Sequence, residues 1–182
     1  MVGAESGQQR VLDMASKDRT VQDAVKCAEI CKRMGMQPSF SYIFGFPYDT
    51  PQEHEDEVEA TLNLIKTIKQ LDNNSKVTIY FFTPYPGTAL FDYAIKANLK
   101  LPAGLEEWAD FDPRGKVTPW INEQEKARIR LIVDRYIEYA YPTKLFEQRF
   151  KGPTGFLRYI LHLIARYRVE HSNYVLPFER LL

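Results

Sequence analysis

Two cysteines carry the most distinctive chemistry in this sequence. Cys27 and Cys31 are separated by three residues, which is the first half of the C-x-x-x-C-x-x-C pattern that holds an iron–sulfur cluster. Met34 stands where the third cysteine of that pattern would be, so the set of thiolates is incomplete. Both cysteines also share one helix face with Ala24 and Ala28, and free cysteine packs as a small apolar side chain. The spacing therefore favours buried, structural thiols over metal ligation.

The three histidines do not form a metal or catalytic motif. His54-Glu55 begins the zinc-helix pattern H-E-x-x-H, but position 58 is Val58. His162 and His171 have no carboxylate or cysteine at ligand spacing, which favours a structural role for both. The sequence also contains no G-x-x-x-x-G-K-[ST], no G-x-G-x-x-G after a strand and no G-x-S-x-G. The commonest nucleotide-binding and serine-hydrolase sites are thereby excluded.

A run of acidic residues is a further candidate for a cation site. Its members are Glu53, Glu55, Asp56, Glu57 and Glu59. They follow Thr50-Pro51, a strong helix start with an N-cap and a proline at the first helical position. Carboxylates in the first turns of a helix are favoured by the helix dipole and by solvation. The run is therefore interpreted as a solvated helix start.

Length and composition set the class of protein. The chain has 182 residues, 45% of them hydrophobic and 26% charged, which is enough for one globular domain or for one domain with a small extension. The 24 basic residues balance the 24 acidic ones, which excludes a protein that coats nucleic acid. No apolar run approaches the roughly 20 residues of a membrane span, and no signal sequence is recognisable. Two cysteines predict no disulfide scaffold and a cytoplasmic location.

Residues 1 to about 100 alternate between helical and strand patterns. Helices are predicted at 6–16, 20–35, 50–71 and 88–99, and strands at 39–47 (SFSYIFGFP) and 77–84 (VTIYFFTP). Both strand segments are nearly continuously apolar, which predicts a sheet covered on both faces. The alternation predicts βαβ units and a parallel sheet, in which ligands bind at the carboxyl ends of the strands.

The C-terminal part has a different pattern. A connection rich in proline and charge occupies about 101–120, and a long helix begins at the cap formed by Asn122 and Glu125. Near the end, FLRYILHLIARY places Arg158, His162 and Arg166 in one narrow polar stripe of an apolar helix. Packing against the main body is favoured for this helix, with a partner or a membrane surface as alternatives. Glutamates interrupt its basic residues, so no nucleic-acid partner is predicted.

Three segments together resemble a known family. They are Gly3-Ala4-Glu5-Ser6-Gly7 with Lys17 downstream, residues 41–50 (SYIFGFPYDT) and residues 82–88 (FTPYPGT). In this order and spacing they resemble the second half of the core domain of radical S-adenosylmethionine (radical SAM) enzymes. The likeness is greatest to the cobalamin-binding branch, whose members have GAESGS, GFPGET and TPYPGT at these places. Tyr48-Asp49 departs from that branch, which usually has glycine-glutamate there.

The resemblance implies a fold and three domain boundaries. The fold is α/β: the C-terminal half of a partial (β/α)6 TIM-like barrel with a helical C-terminal extension. The implied segments are the second half of the radical SAM core at 1–100, a connection at 101–120 and the extension at 121–182. The fourth barrel strand would end at Glu5-Ser6, the fifth at Gly45 and the sixth at Phe82-Thr83.

The resemblance also implies the residues that bind S-adenosylmethionine. They are Glu5, Ser6, Lys17, Ile43, Phe44, Gly45, Phe82 and Thr83. The first two would bond the ribose or the methionyl amine, and the ammonium of Lys17 would pair with the methionyl carboxylate. Residues 43–45 would let the backbone approach the adenine, since glycine permits a close approach. Residues 82 and 83 would form the other wall of the adenine pocket.

The catalytic cluster of the family has no counterpart in this sequence. Its [4Fe–4S] cluster is held by three cysteines after the first barrel strand, and this chain has two cysteines in all. The resemblance therefore implies the C-terminal part of a longer parent protein, whose cofactors are S-adenosylmethionine and the cluster, with cobalamin as a further candidate. The missing N-terminal part would be the partner of this chain, and the sheet edge left exposed would favour self-association.

The resulting prediction is the C-terminal part of a radical SAM enzyme that is inactive by itself. Two alternatives remain open at this point. One is a non-catalytic binding or scaffold module that keeps the half-barrel, and the other is a small α/β enzyme that uses Cys27 or Cys31. The branch resembled here acts on large, often apolar or tetrapyrrole-like substrates, and nothing in the sequence selects one of them.

Overall fold

A three-stranded parallel sheet forms the centre of the N-terminal part. The computed structural model describes residues 1–109, 119–148 and 155–174. The strands are β1 (Val2–Glu5), β2 (Ser39–Phe44) and β3 (Lys76–Phe81), and they lie side by side in that order. The chain is thus an α/β protein with a small parallel sheet. Three strands do not by themselves make a barrel, so the partial barrel stays a prediction.

Helices follow each strand and form the C-terminal part. Between the strands lie α1 (Gln9–Met14), α2 (Val21–Arg33) and α3 (Pro51–Leu71). After β3 come α4 (Ala89–Lys96) and α5 (Leu105–Ala109). The C-terminal helices are α6 (Glu123–Leu131), a π-helical segment (Ile132–Ile137), α7 (Glu138–Ala140), α8 (Lys144–Glu147) and α9 (Gly155–Glu170). Most of the predicted connection, residues 110–118, lies outside the described residues.

The helix starts predicted at Thr20, Thr50 and Asn122 are confirmed, whereas the helix predicted at 6–16 begins at Gln9. Thr20 begins α2 with a capping box, in which the Asp23 carboxylate accepts from the backbone N–H of Thr20 at 2.8 Å. The Thr50 hydroxyl accepts from the backbone N–H of Glu53 at 3.3 Å, with a proline at the next position. Asn122 caps α6 in the same way. These starts are predictable because each cap is made by residues three positions apart.

The prediction that both faces of the sheet are covered is wrong. On one face of β2, Phe40, Tyr42 and Phe44 have no exposed surface and pack against the helices. On the other face, Ile43 lies beside Tyr80 of β3, and Tyr80 is 45% exposed. The strand is therefore half-buried, with side chains that alternate between a helix-covered face and an open one.

The C-terminal helices share a hydrophobic core with the sheet. This core joins β2 and α3 to α6, the π-helical segment and α9, through residues that include Phe40, Ile65, Ile129, Ile132 and Val169. Helix α9 buries Ala165 and Val169 but exposes Phe156, Leu163 and Tyr167 on its opposite side. Within the described ranges, no helix combines the length and apolarity that crossing a membrane requires.

Candidate functional site

The carboxyl ends of the three strands meet at one edge of the sheet. β1 ends at Glu5, Gly45 follows β2 and Phe82 follows β3. The strands are parallel neighbours, and the backbone N–H of Phe82 donates to the carbonyl of Phe44 at 2.8 Å. In α/β proteins this edge is where ligands bind. The three segments singled out in the sequence are therefore brought together in space.

A cavity of about 500 Å³ opens at this edge. It is lined by the ends of β1, β2 and β3 and by the segments that follow these strands. The lining residues are Glu5, Ala15, Lys17, Ile43, Phe46, Tyr80, Phe81, Phe82, Thr83, Tyr85, Thr88, Ala89 and Leu90. Five residues implied by the resemblance are thus on its surface, namely Glu5, Lys17, Ile43, Phe82 and Thr83.

The walls of the cavity are largely aromatic. The ring centroids of Phe46 and Phe82 are 5.2 Å apart, and Trp120 supports Phe82 from behind at 6.0 Å. These three residues are buried together with Val11 in a second hydrophobic cluster. Tyr80 and Tyr85 contribute rings that are about half exposed. Flat, apolar walls of this kind suit a planar ring system.

The rim of the cavity is charged. Lys17 Nζ lies 3.4 Å from Glu5 Oε1, and Arg19 Nη2 lies 3.5 Å from the same oxygen. Glu5 has φ = 65°, a backbone conformation that residues other than glycine rarely adopt. Strained backbone of this kind concentrates at functional sites. Sequence reasoning missed Arg19, although a second basic residue close to Lys17 was visible.

Three of the implied residues lie behind the cavity wall. Ser6 is fully buried, and its hydroxyl is 3.1 Å from the hydroxyl of Thr61 on α3. Phe44 belongs to the main core. Gly45 has φ = 79°, and a Cβ at this position would lie 2.6 Å from Cγ2 of Ile121. The side chains of Ser6 and Phe44 therefore support the strand ends, and none of the three residues lines the cavity.

Glu57 is a buried carboxyl next to these strand ends, and the sequence did not reveal it. Glu55 and Glu59 of the acidic run are exposed as expected, whereas Glu57 is 2% exposed. Thr61 donates to Glu57 Oε1 at 3.2 Å. Burial raises the pKa of Glu57 to about 7, although Thr61, the backbone of Gly45 and the hydroxyl of Ser6 each lower it. The run is thus not a uniform solvated surface.

The cysteines and histidines do not form a second chemical site among the described residues. Cys31 is buried and Cys27 is half-buried, and both are free. Burial, together with neighbouring Cys31, raises the pKa of the Cys27 thiol, which acts against a reactive thiolate. The described ranges hold no group of three or more potential metal ligands. His54 instead pairs with Glu125 of α6 at 2.9 Å.

A larger groove of about 1,140 Å³ lies at the opposite end of the sheet. It is formed by the ends of α2 and α3 and by α7 to α9. Its buried cation, Lys69, donates to the carbonyls of Asn73 and Ser75 and pairs with Glu138 at 3.0 Å. The charge of Lys69 is therefore satisfied within the fold. None of the residues implied by the resemblance lines this groove, so the smaller cavity at the strand ends is the candidate site.

The sequence was compared with known proteins. No family model matches it. The chain is 35% identical over 151 residues to an uncharacterized methyltransferase of Pyrococcus horikoshii, a match that covers 82% of this chain and 30% of that protein. It is 27% identical over 97 residues to the tRNA-2-methylthio-N(6)-dimethylallyladenosine synthase of Pelagibacter ubique, which covers 53% of this chain and 19% of that enzyme. An uncharacterized protein of Methanopyrus kandleri is 27% identical over 92 residues, or 50% of this chain and 17% of that protein.

The chain spans less than a third of the length of each of these relatives. Such coverage is consistent with a piece of a larger protein. The matches establish a distant relationship to a protein named a methyltransferase and to a synthase named for a methylthio-modified tRNA nucleoside.

Proposed function

We propose that this chain is the C-terminal part of a radical SAM enzyme and supplies one side of its S-adenosylmethionine site. One observation carries the proposal. Residues from three separate sequence segments, Glu5, Ile43 and Phe82 among them, line a single cavity at the ends of neighbouring parallel strands. The names of two relatives refer to methyl or methylthio groups. S-adenosylmethionine is the common biological methyl donor, so these names support it as the ligand.

The cavity suits the adenosyl group. An adenine needs flat apolar walls, which Phe46 and Phe82 provide, and Ile43 would close the pocket on the β2 side. The volume of about 500 Å³ is within the range of small-molecule sites. Gly45 does not line the cavity, and the space left by its missing Cβ is taken by Ile121, so its role would be to let the turn after β2 pack closely against that residue.

The charged rim suits the methionyl group. Without ligand, the ammonium of Lys17 pairs with the carboxylate of Glu5 at 3.4 Å. A methionyl carboxylate would take the place of Glu5 beside Lys17, and its amine would take the place of Lys17 beside Glu5. Arg19, whose Nη2 lies 3.5 Å from Glu5 Oε1, would hold the Glu5 carboxylate in place. Ligand binding would thus replace the ion pair between Lys17 and Glu5 with two ion pairs. One joins Lys17 to the methionyl carboxylate, and the other joins Glu5 to the methionyl amine.

The catalytic cluster does not fit this chain. A [4Fe–4S] cluster bound in the family's manner needs three cysteines, and the chain has two, both on α2. We place the cluster ligands in a part of the parent protein outside these residues, and we expect the chain to be inactive alone. In the parent, cluster and S-adenosylmethionine together would supply radical chemistry at an unactivated carbon. Cobalamin lies outside this proposal, since neither the cavity nor the relatives support it.

The partner of the chain would be the rest of the parent protein. Within the described residues, β1 pairs with β2 and with no other strand. Its second edge would accept the preceding strands of a partial (β/α)6 barrel. Without them, the same edge would favour self-association. Residues 1–100 would form the second half of the core, and residues 121–182 would form the C-terminal extension.

Calorimetric titration of the 182-residue chain with S-adenosylmethionine tests this proposal. We expect measurable binding that falls at least about tenfold in Glu5→Gln and in Lys17→Met, since each change removes a charge-assisted contact. Lys100→Met is the matched control, because Lys100 is exposed and does not line the cavity. Binding that neither Glu5→Gln nor Lys17→Met weakens would contradict the proposed site. No binding at all would favour the non-catalytic scaffold module.

A further inference from the structure

The outer side of α9 is apolar along most of its length. Six large apolar side chains on it are between 36% and 76% exposed, namely Phe156, Tyr159, Ile160, Leu163, Ile164 and Tyr167. The first, third, fourth and last of these recur at spacings of four, three and four residues. With 3.6 residues per helical turn, the six side chains form one stripe. A contiguous apolar surface of this kind marks an interaction site.

The side of α9 that faces the body of the protein carries polar groups instead. Arg168 is buried, and its guanidinium carbon lies 5.4 Å from the centre of the Tyr136 ring. His162 Nδ1 lies 2.7 Å from the carbonyl oxygen of Tyr139. These contacts fix the rotation of the helix about its own axis. The apolar stripe is therefore held on the outside of the protein.

The stripe is symmetric about the middle of α9. Each of its positions has an apolar counterpart equally far on the other side of the midpoint between residues 161 and 162. The counterparts are Phe156 and Tyr167, Tyr159 and Ile164, and Ile160 and Leu163. A two-fold axis through this midpoint would place every residue of the stripe against its counterpart in a second copy. The stripe is thus complementary to itself when two copies of α9 run antiparallel.

The spacing and the area of the stripe both fit a pair of helices. Apolar residues that alternate between spacings of three and four form the seam between two helices that cross at a small angle. Side chains of these types, exposed to these fractions, present about 600 Å² per copy. Two copies that covered them together with the adjoining Leu157 would bury about 1,200 Å² in total, which is the low end of the range for specific interfaces.

The charges of α9 do not suit an anionic lipid surface. Arg166 Nε donates to Glu170 Oε1 at 2.9 Å, so this exposed pair is neutral overall. Arg168 is buried against the body of the protein. Helices that lie in a membrane interface instead present basic residues beside their apolar face. The charge pattern therefore favours a protein surface as the occupant.

The stripe also lies on different elements from the sheet edge proposed for the rest of the parent protein. α9 packs on α7 and the π-helical segment, whereas β1 packs on β2 and α2. Strands that complete the sheet beside β1 therefore need not cover α9. A second copy of the chain, which carries the matching stripe, is the occupant that the symmetry of the stripe selects.

We propose that the chain forms a two-fold symmetric dimer in which α9 packs antiparallel on α9 of a second copy. The Phe156 ring of one copy then lies against Tyr167 of the other, and Ile160 lies against Leu163. Aromatic pairs of this kind contribute beyond the area that they bury. The inference goes beyond the proposed function and does not depend on its ligand, because no residue of α9 lines the cavity at the strand ends.

Sedimentation velocity of the full 182-residue chain is the first arm of the test. An interface of this size predicts a dissociation constant of about 1–100 μM, so the wild-type chain should pass from monomer to dimer between about 1 and about 200 μM. Ile160→Lys and Leu163→Glu should each stay monomeric, since each change sets a charge against an apolar counterpart. Ile95→Lys is the matched control, because Ile95 of α4 is as exposed as Ile160. It should dimerise like wild type.

Mixing the two α9 variants is the second arm, and it tests the antiparallel arrangement. The two-fold axis would bring the new lysine of Ile160→Lys against the new glutamate of Leu163→Glu. An equimolar mixture should therefore form a heterodimer at least about tenfold more tightly than either variant associates with itself. Circular dichroism and urea denaturation show whether both variants keep the wild-type fold.

Four outcomes would overturn the inference. One is a wild-type chain that stays monomeric at about 200 μM, including one that binds vesicles of phosphatidylcholine and phosphatidylserine instead. Another is association that both α9 variants retain, which would place the contact elsewhere, such as at the open edge of β1. A third is an Ile95→Lys control that stays monomeric like the α9 variants. The fourth is a mixture that stays monomeric although both variants are folded, which would exclude the antiparallel pairing of Ile160 with Leu163.

Discussion

Lys17 Nζ and Glu5 Oε1 lie 3.4 Å apart at the rim of the cavity, across the turn that follows β1. The side chain of Glu5 is only 16% exposed, whereas that of Lys17 is 46% exposed. Glu5 also adopts φ = 65°. A charged residue in such a conformation costs the fold about 1–2 kcal/mol in backbone strain relative to glycine. The fold therefore keeps a glutamate where stability alone would favour glycine, which is the pattern expected of a functional position.

Glu5→Gly and Glu5→Ala form a matched pair that separates binding from stability. Both variants remove the carboxylate, so both should lose affinity for S-adenosylmethionine to the same extent. We expect the glycine variant to be about 1 kcal/mol more stable than the alanine variant, because only glycine adopts φ = 65° without strain. Urea denaturation gives the two free energies of unfolding. An alanine variant as stable as the glycine variant would show that no strain is stored at this position.

Gly45→Ala should lower the free energy of unfolding more than Gly35→Ala does. The added Cβ would lie 2.6 Å from Ile121 Cγ2, at a backbone φ of 79°. Strain and overpacking together should cost about 2–4 kcal/mol in the free energy of unfolding. Gly35→Ala is the control, since its φ of 69° is similar but no heavy atom lies within 4 Å. It should cost only about 1 kcal/mol.

A double variant identifies the source of the Gly45→Ala effect. Ile121→Ala removes the atoms that the new Cβ would meet, so Gly45→Ala should cost less in that background than in wild type. The difference should be at least about 1 kcal/mol. Equal costs in both backgrounds would mean that Ile121 does not press on Gly45, and that the extension does not cover the end of β2.

How much of the fold the sequence predicts depends on how close in the sequence the interacting residues are. The caps of α2 and α3 are predictable because Thr20 and Thr50 each act on a residue three positions away. The meeting of three motifs at one sheet edge is predictable because parallel strands end together. The alternation of serine with aromatic residues in Ser39-Phe40-Ser41-Tyr42 also indicates an open face of the sheet. The prediction missed it because the segment as a whole was treated as continuously apolar.

The burial of Glu57 could not be predicted in this way. The other acids of the run, Glu55 and Glu59, are exposed, and Ser6, which contacts the Thr61 hydroxyl that donates to Glu57, is 55 positions from Thr61 in the sequence. A turn that packs onto α3 through Gly7 is what covers it. Long-range packing of this kind leaves no periodic signal in the sequence. Arg19 is similar, since its contact with Glu5 depends on the fold of the segment between them.

His54 and Glu125 should be coupled across the sequence segments predicted as core and extension. The Nε2 and Oε1 atoms lie 2.9 Å apart, and His54 is buried. A double-mutant cycle with His54→Ala and Glu125→Ala should give a coupling free energy of about 1 kcal/mol in urea denaturation. Pairing Glu55→Ala, an exposed change on α3, with Glu125→Ala should give almost none. Two separate unfolding transitions would contradict a shared core.

The ionisation of Glu57 should make the stability of the chain depend on pH. Burial raises its folded-state pKa from 4.5 to about 7. A raised pKa means that the folded state binds the proton more tightly than the unfolded state. The stabilisation that protonated Glu57 contributes is fully present below about pH 4.5 and is lost as the pH rises through about 7. A difference of this size corresponds to about 3 kcal/mol.

Glu57→Gln isolates this contribution, because glutamine does not titrate. The free energy of unfolding of wild type, minus that of the variant, should fall by about 3 kcal/mol between about pH 4 and about pH 8. Relative to the variant, the wild-type chain should thus be less stable at the higher pH than at the lower one. A difference that stays constant with pH would show that Glu57 has the same pKa in the folded and the unfolded state.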